Sequence, residues 1–189
     1  MPGAAAGKRQ EAATALALLR RPVWVASALT LVIGSSLVAF LRFGWTPRWW
    51  YLVPLLAVLA VILVLDLGTK VIPDVIILPG IVYALIASAF LPDPSPVSAV
   101  LGMFVGGGAV LLLAVVSRGA VGGGDIKLVA MLGAALGWQG ALTVLALSQV
   151  LAVVFALILL VTGRATMRQG LPVGAIISML GMIMLIGEP

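Results

Sequence analysis

Apolar runs follow one another along the whole chain, separated by short polar segments. Reading them as helical spans gives Val23 to Leu41, Trp49 to Leu65, Val75 to Leu91, Val97 to Ser117, Ile126 to Trp138, Ala141 to Thr162 and Val173 to Ile186. The pattern therefore predicts an all-α fold, a polytopic transmembrane helical bundle of about seven spans. The fifth and seventh runs fall short of the roughly 20 residues that a helix needs to cross the hydrocarbon, so a six-span bundle with a re-entrant fifth segment stays open.

Composition agrees with the pattern. With 63% hydrophobic residues, 9% charged residues and a mean hydropathy of +1.28 over 189 residues, this much apolar surface cannot be hidden inside a soluble domain of that size. The net charge of +5 is dispersed among short loops and forms no stripe with interleaved aromatics, so it describes topology rather than nucleic-acid binding. An amino terminus in the cytoplasm places Lys8, Arg9, Arg20, Arg21, Lys70, Arg118, Lys127, Arg164 and Arg168 inside and only Arg42 and Arg48 outside, the asymmetry of a correct orientation. Residues 1–22 are expected to be a basic cytoplasmic tail and 23–189 the integral membrane domain. Arg20-Arg21 before a long apolar run is read as part of a signal anchor, because the run exceeds a signal-peptide core and no small-residue cleavage site follows. Trp45, Trp49 and Trp50 are placed at the outer interface. Gly102 with Gly106 and Gly133 with Gly137 are read as close helix packing, and Pro79 as a kink in the third span.

The chain has no Cys and no His, which removes thiolate and imidazole chemistry and leaves carboxylates to do any catalysis. Of the six acids, Glu11 and Glu188 lie in the tails, and Asp93 belongs to the turn Pro92-Asp93-Pro94-Ser95. Asp66, Asp74 and Asp125 remain, and the deduced topology puts all three at the cytoplasmic membrane face. Each has an ordinary alternative: an N-cap for Asp125, an ion pair with Lys70 one turn on for Asp66, and a plain helix start after Pro73 for Asp74. Their coincidence at one depth weakens those alternatives.

Asp66, followed by Ile72-Pro73-Asp74 and Leu78-Pro79 and then by Gly122-Gly123-Gly124-Asp125-Ile126-Lys127-Leu128, resembles the type IV prepilin peptidase family of GxGD aspartic proteases. Leu171-Pro172-Val173-Gly174 resembles the Pro-x-Gly segment near that family's carboxyl end. The resemblance covers about residues 50 to 187. It implies a prokaryotic plasma-membrane endopeptidase, active site facing the cytoplasm, that cuts the basic leader from prepilin or pseudopilin substrates after a Gly at the leader boundary. It makes Asp66 and Asp125 the catalytic pair and calls for no metal or organic cofactor. Longer members carry an amino-terminal insert, often with paired cysteines, associated with methylation of the product. This chain has no cysteine and no room for that insert, so it resembles the short peptidase-only type found with Flp-type or archaeal-flagellin-like systems.

Two carboxylates within a few Å cannot both ionise cheaply, so they share a proton and provide an acid and a base together. The helix-start position of Asp125 suits a negative charge and nominates it as the base. Gly122, Gly123 and Gly124 either let the backbone approach an extended substrate or act as a flexible linker. Lys127 either balances the pair's charge or anchors at the interface, and Lys70 is read the same way. Two other classes of function compete: an ion-coupled transporter or proton channel, against which stand the one-sided acids and the lack of an inverted repeat, and a noncatalytic membrane subunit of a secretion or pilus machine.

Overall fold

The computed structural model describes residues 22–118, 121–162 and 172–187. The basic tail, Arg164, Arg168, Leu171 and Glu188 lie outside the described residues. All described elements are helices: α1 Pro22–Phe43, α2 Pro47–Thr69, α3 Asp74–Ser88, α4 Pro96–Val116, α5 Gly123–Val161 and α6 Val173–Gly187. Four of them, α1, α2, α4 and α5, are long and apolar enough to cross a membrane, while α3 and α6 are apolar but have 15 residues each. The chain is thus a membrane helical bundle.

Local chemistry sets the helix starts. Thr46 is extended ahead of Pro47 at the first position of α2, where the missing N–H costs nothing. Ser95 caps α4 by accepting the Ser98 N–H at 3.3 Å, again with a proline behind it. At the other end of α2, Lys70 takes a left-handed conformation (φ 55°) and its N–H returns to the Asp66 carbonyl at 3.0 Å. Pro79 lies inside α3, and the helix runs on through it.

α5 is not one rod. Gly137 has φ 72° and ψ −179°, and the chain folds back there. Asp125 at the start of α5 lines the same cavity as Gln149 and Ala152, which a continuous helix would carry roughly 36 Å away or more at 1.5 Å per residue. The fifth and sixth apolar runs of the sequence are therefore two antiparallel arms, 123–136 and 138–161. The first arm starts at Gly123 rather than Ile126, and Gly137 is the turn as well as a packing residue, its backbone lying against Gly102. Only glycine takes that conformation without strain.

The expected glycine packing is present. Gly102 of α4 and Gly133 of α5 meet backbone to backbone, so that a Cβ on either would run into the other chain segment, and Gly106 and Gly107 receive Val129 and Ala130. Helices seated this closely gain van der Waals contact that lipid cannot replace. α2 supplies the central wall, with Leu52, Leu55, Leu56, Leu59, Ile62 and Leu65 fully buried. α6 lies between α2 and α5, α3 packs on α5, and α1 covers α2 from outside.

The rods run between two ends. One end holds the 44–46 turn, the 89–95 segment, the turn at Gly137 and the end of α6: Tyr51 Oη donates to the Ala135 carbonyl at 3.2 Å, and Arg42 donates to the Gly187 carbonyl at 2.8 Å. Phe40, Trp45, Trp49 and Trp50 cluster there edge to face. The opposite end gathers the 66–74 segment and the starts of α5 and α6.

The glycine seam generates a direct expectation. Gly133→Ala forces α4 and α5 apart and is expected to cost about 1–3 kcal/mol, visible as a lower thermal midpoint in detergent. Gly34→Ala on α1, where a Cβ meets nothing within 4 Å, is expected to leave the midpoint unchanged or slightly higher. Equal midpoints for the two variants would contradict the packing described.

Candidate active site

Asp66 extends the buried stripe of α2. Leu52, Leu55, Leu56, Leu59, Ile62 and Leu65 recur at three- and four-residue intervals, and Asp66, one turn beyond Ile62, falls on the same inward face. It is 5% exposed. Its Oδ2 accepts the backbone N–H of Ala175 at 2.7 Å, one of the donors left without a partner in the first turn of α6. Gly174 makes that approach possible, since a Cβ there would stand 3.0 Å from the Asp66 Cγ and Oδ1 and 2.9 Å from Ile72 Cδ1.

Asp125 occupies the third position of α5. The cap is Gly122, which has no side chain to offer, so the carboxylate is not itself the N-cap. It begins the inward stripe that continues through Leu128, Leu132 and Ala135, all buried. Gly124 packs against Ile72, whose Cβ lies 2.9 Å from where a Gly124 Cβ would be. Ile72 thus wedges between the starts of α5 and α6, and Asp125 is brought close enough to Asp66 to feel its charge. The helix-start argument that singled out Asp125 applies to Asp66 as well, through its direct bond to the start of α6, and does not distinguish the two.

The other expected site residues divide. Lys127 forms an ion pair with Asp74 at the start of α3; its ammonium is directed there rather than to the Asp66–Asp125 pair. Asp74 therefore joins the site as the anchor of the first turn of α5. Lys70 is exposed, and its charge reaches Asp66. Of the three glycines, only Gly124 is demanded by packing: a Cβ on Gly123 meets nothing within 4 Å, and one on Gly122 makes ordinary contact with Asp125 Oδ2 at 3.5 Å. Two of the three belong to the first turn of α5, which is not a flexible linker. Pro172 immediately precedes α6, and its carbonyl accepts from the Ile176 N–H at 3.4 Å.

Three contributors escaped the sequence reading. Ile72 was visible only as part of the Ile-Pro-Asp string. Ala175 acts through its backbone and leaves no trace in residue type. Gln149 is the one carboxamide within the run from Ala141 to Thr162, and it lines a cavity of about 170 Å³ together with Asp125.

Comparison with known proteins bears on this geometry. A model of the Type IV leader peptidase family matches residues 53–157. The prepilin leader peptidase/N-methyltransferase of Pseudomonas putida is 33% identical over 158 residues, covering 78% of this chain and 53% of its own length. The protein of the same name from Bacillus subtilis strain 168 is 29% identical over 134 residues, with 71% and 54% covered. The chain spans about half the length of the curated relatives it matches. No solved structure matches. The matched segment takes in more than half of the chain, with Asp66, Asp74, Asp125 and Lys127 inside it, and the chain belongs to the type IV leader peptidase family.

Proposed function

We propose that this chain is a membrane-embedded aspartic endopeptidase that removes the basic leader of a prepilin or pseudopilin precursor at the cytoplasmic face of a prokaryotic plasma membrane. The observation that carries the reading is the meeting of Asp66 and Asp125 at one end of an apolar bundle, Asp125 in the first turn of α5 and Asp66 bonded to the first turn of α6. The N-methyl transfer named for both relatives is not carried over.

In this mechanism one carboxylate is ionised and the other protonated. The ionised member takes a proton from water as its oxygen attacks the scissile carbonyl carbon, and the protonated member donates to the carbonyl oxygen. As the tetrahedral diol collapses, one hydroxyl gives its proton to the ionised carboxylate, the C–N bond breaks, and the departing nitrogen takes the proton held by the other carboxyl group and leaves as the new amine. The pair then holds one proton again. Because the two groups titrate together, the first base is a property of the pair. The N–H of Ala175 orients Asp66, and the Asp74–Lys127 ion pair fixes the first turn that carries Asp125.

Charge and depth support this orientation. Arg42 and Arg48 stand among the tryptophans at the end away from the aspartates, which suits an outer interface. The aspartate end then faces the cytoplasm, where a basic leader stays while its apolar segment enters the bilayer.

Two outcomes are expected. Coexpressed with a prepilin from the same genome, the unaltered chain produces a gel shift, and Asp66→Asn and Asp125→Asn each lower processing at least 100-fold at normal membrane levels. Processing by both variants would remove the pair from catalysis, and proton flux in vesicles without processing would favour a transporter. Gly174→Ala, whose methyl group displaces the Asp66 carboxylate, is expected to cut processing roughly 100-fold; full activity would show that the Ala175 bond does not position Asp66.

A further inference from the structure

Past Gln139 beside the turn, the second arm of α5 carries three polar side chains before Thr162, namely Thr143, Ser148 and Gln149. Thr143 Oγ1 donates to the Gln139 carbonyl at 2.9 Å and Ser148 Oγ to the Leu145 carbonyl at 2.8 Å, so both are satisfied by their own helix. Gln149 is different. Its carboxamide makes no hydrogen bond to another described residue, and it faces the cavity that it shares with Asp125. Val110, Val121, Leu145 and Ile177 belong to the remaining wall, which is apolar. A group with two donors and a carbonyl acceptor has been placed beside the candidate catalytic carboxylate at a depth where polar groups are costly.

The size of the space says what it takes. At about 170 Å³ it is comparable with the ~150 Å³ cavity that holds a benzene molecule. A space of that size takes an unwound peptide unit with its side chain. Unwinding is also what cleavage requires, since a helical amide is hydrogen-bonded and shielded. Inside a membrane an unwound backbone has no water for its N–H and C=O groups, which must find partners in protein.

Resting on the peptidase reading above, we infer that Gln149 is a substrate-binding residue whose carboxamide pairs with the unwound backbone of the precursor beside the scissile bond. The fold-back at Gly137 creates the site by setting Gln149 opposite Asp125. The precursor enters as an extended strand, exchanges its own helical hydrogen bonds for those of Gln149, and presents its carbonyl to the aspartate pair.

The test uses the full chain in detergent and a fluorescent synthetic peptide with a basic head, a leader boundary and an apolar segment. A companion set replaces one backbone amide at a time by an ester, removing an N–H and weakening the carbonyl as an acceptor. Gln149→Met is expected to weaken peptide binding and raise KM about tenfold while kcat stays within about twofold, and Gln149→Asn to lose less. An ester at one bond beside the scissile amide is expected to cost the unaltered chain about tenfold and Gln149→Met nothing. Unchanged peptide binding by Gln149→Met, a loss confined to kcat, or identical ester penalties in both chains would each overturn the inference. If Gln149→Met fails to accumulate, Gln149→Asn with the ester series decides in the same way. Binding is read apart from cleavage: cleavage by Asp66→Asn would sink the peptidase reading while leaving the Gln149 binding result to stand or fall alone.

Discussion

The bond from the Ala175 N–H to the Asp66 carboxylate is the contact on which the rest of the arrangement depends. A carboxylate carried inward on a stripe of leucines needs a partner, and the first turn of a helix has donors that need one. Each group satisfies the other, and in doing so α6 is drawn against α2. Gly174 permits the approach and Ile72 fills the space beside it. The same side chain that is the leading candidate for chemistry is therefore also a joint between two helices, so its substitution tests structure and catalysis at once.

The second carboxylate is delivered by a different device. α4 and α5 meet through Gly102 and Gly133 without intervening side chains, which fixes the first arm of α5 along α4. The left-handed conformation of Gly137 then returns the chain, placing the second arm beside the first. Asp125 owes its depth to the seam, and its neighbour Gln149 owes its place to the turn. Neither device touches the carboxylate directly.

Charge is sorted by the membrane. Asp66, Lys70, Asp74, Asp125 and Lys127 share one end of the bundle, and Arg42 and Arg48 share the other with the tryptophans, because ionised groups are expensive in between. Within the first set, packing decides who pairs with whom. The start of α3 lies beside the first turn of α5, so Lys127 meets Asp74, and Asp66 turns to a backbone N–H of α6.

The amino-acid sequence by itself determined the all-helical membrane class, the approximate positions of the spans and the three acids at a shared depth, because these follow from hydropathy, length and the cost of buried charge, which are properties of residue type. It also carried the family motifs. Tertiary structure alone decided that Asp66 faces inward, since every position of that run is apolar and no periodicity marks a face. It decided that Gly137 turns the chain besides joining Gly133 in the seam against Gly102, since both are glycines on the same spacing and only the backbone conformation tells them apart. It assigned Lys127 to Asp74, and it brought Ala175 and Gln149 to the aspartates. A backbone donor has no residue type to read, and a lone carboxamide acquires meaning only from what the fold sets opposite it.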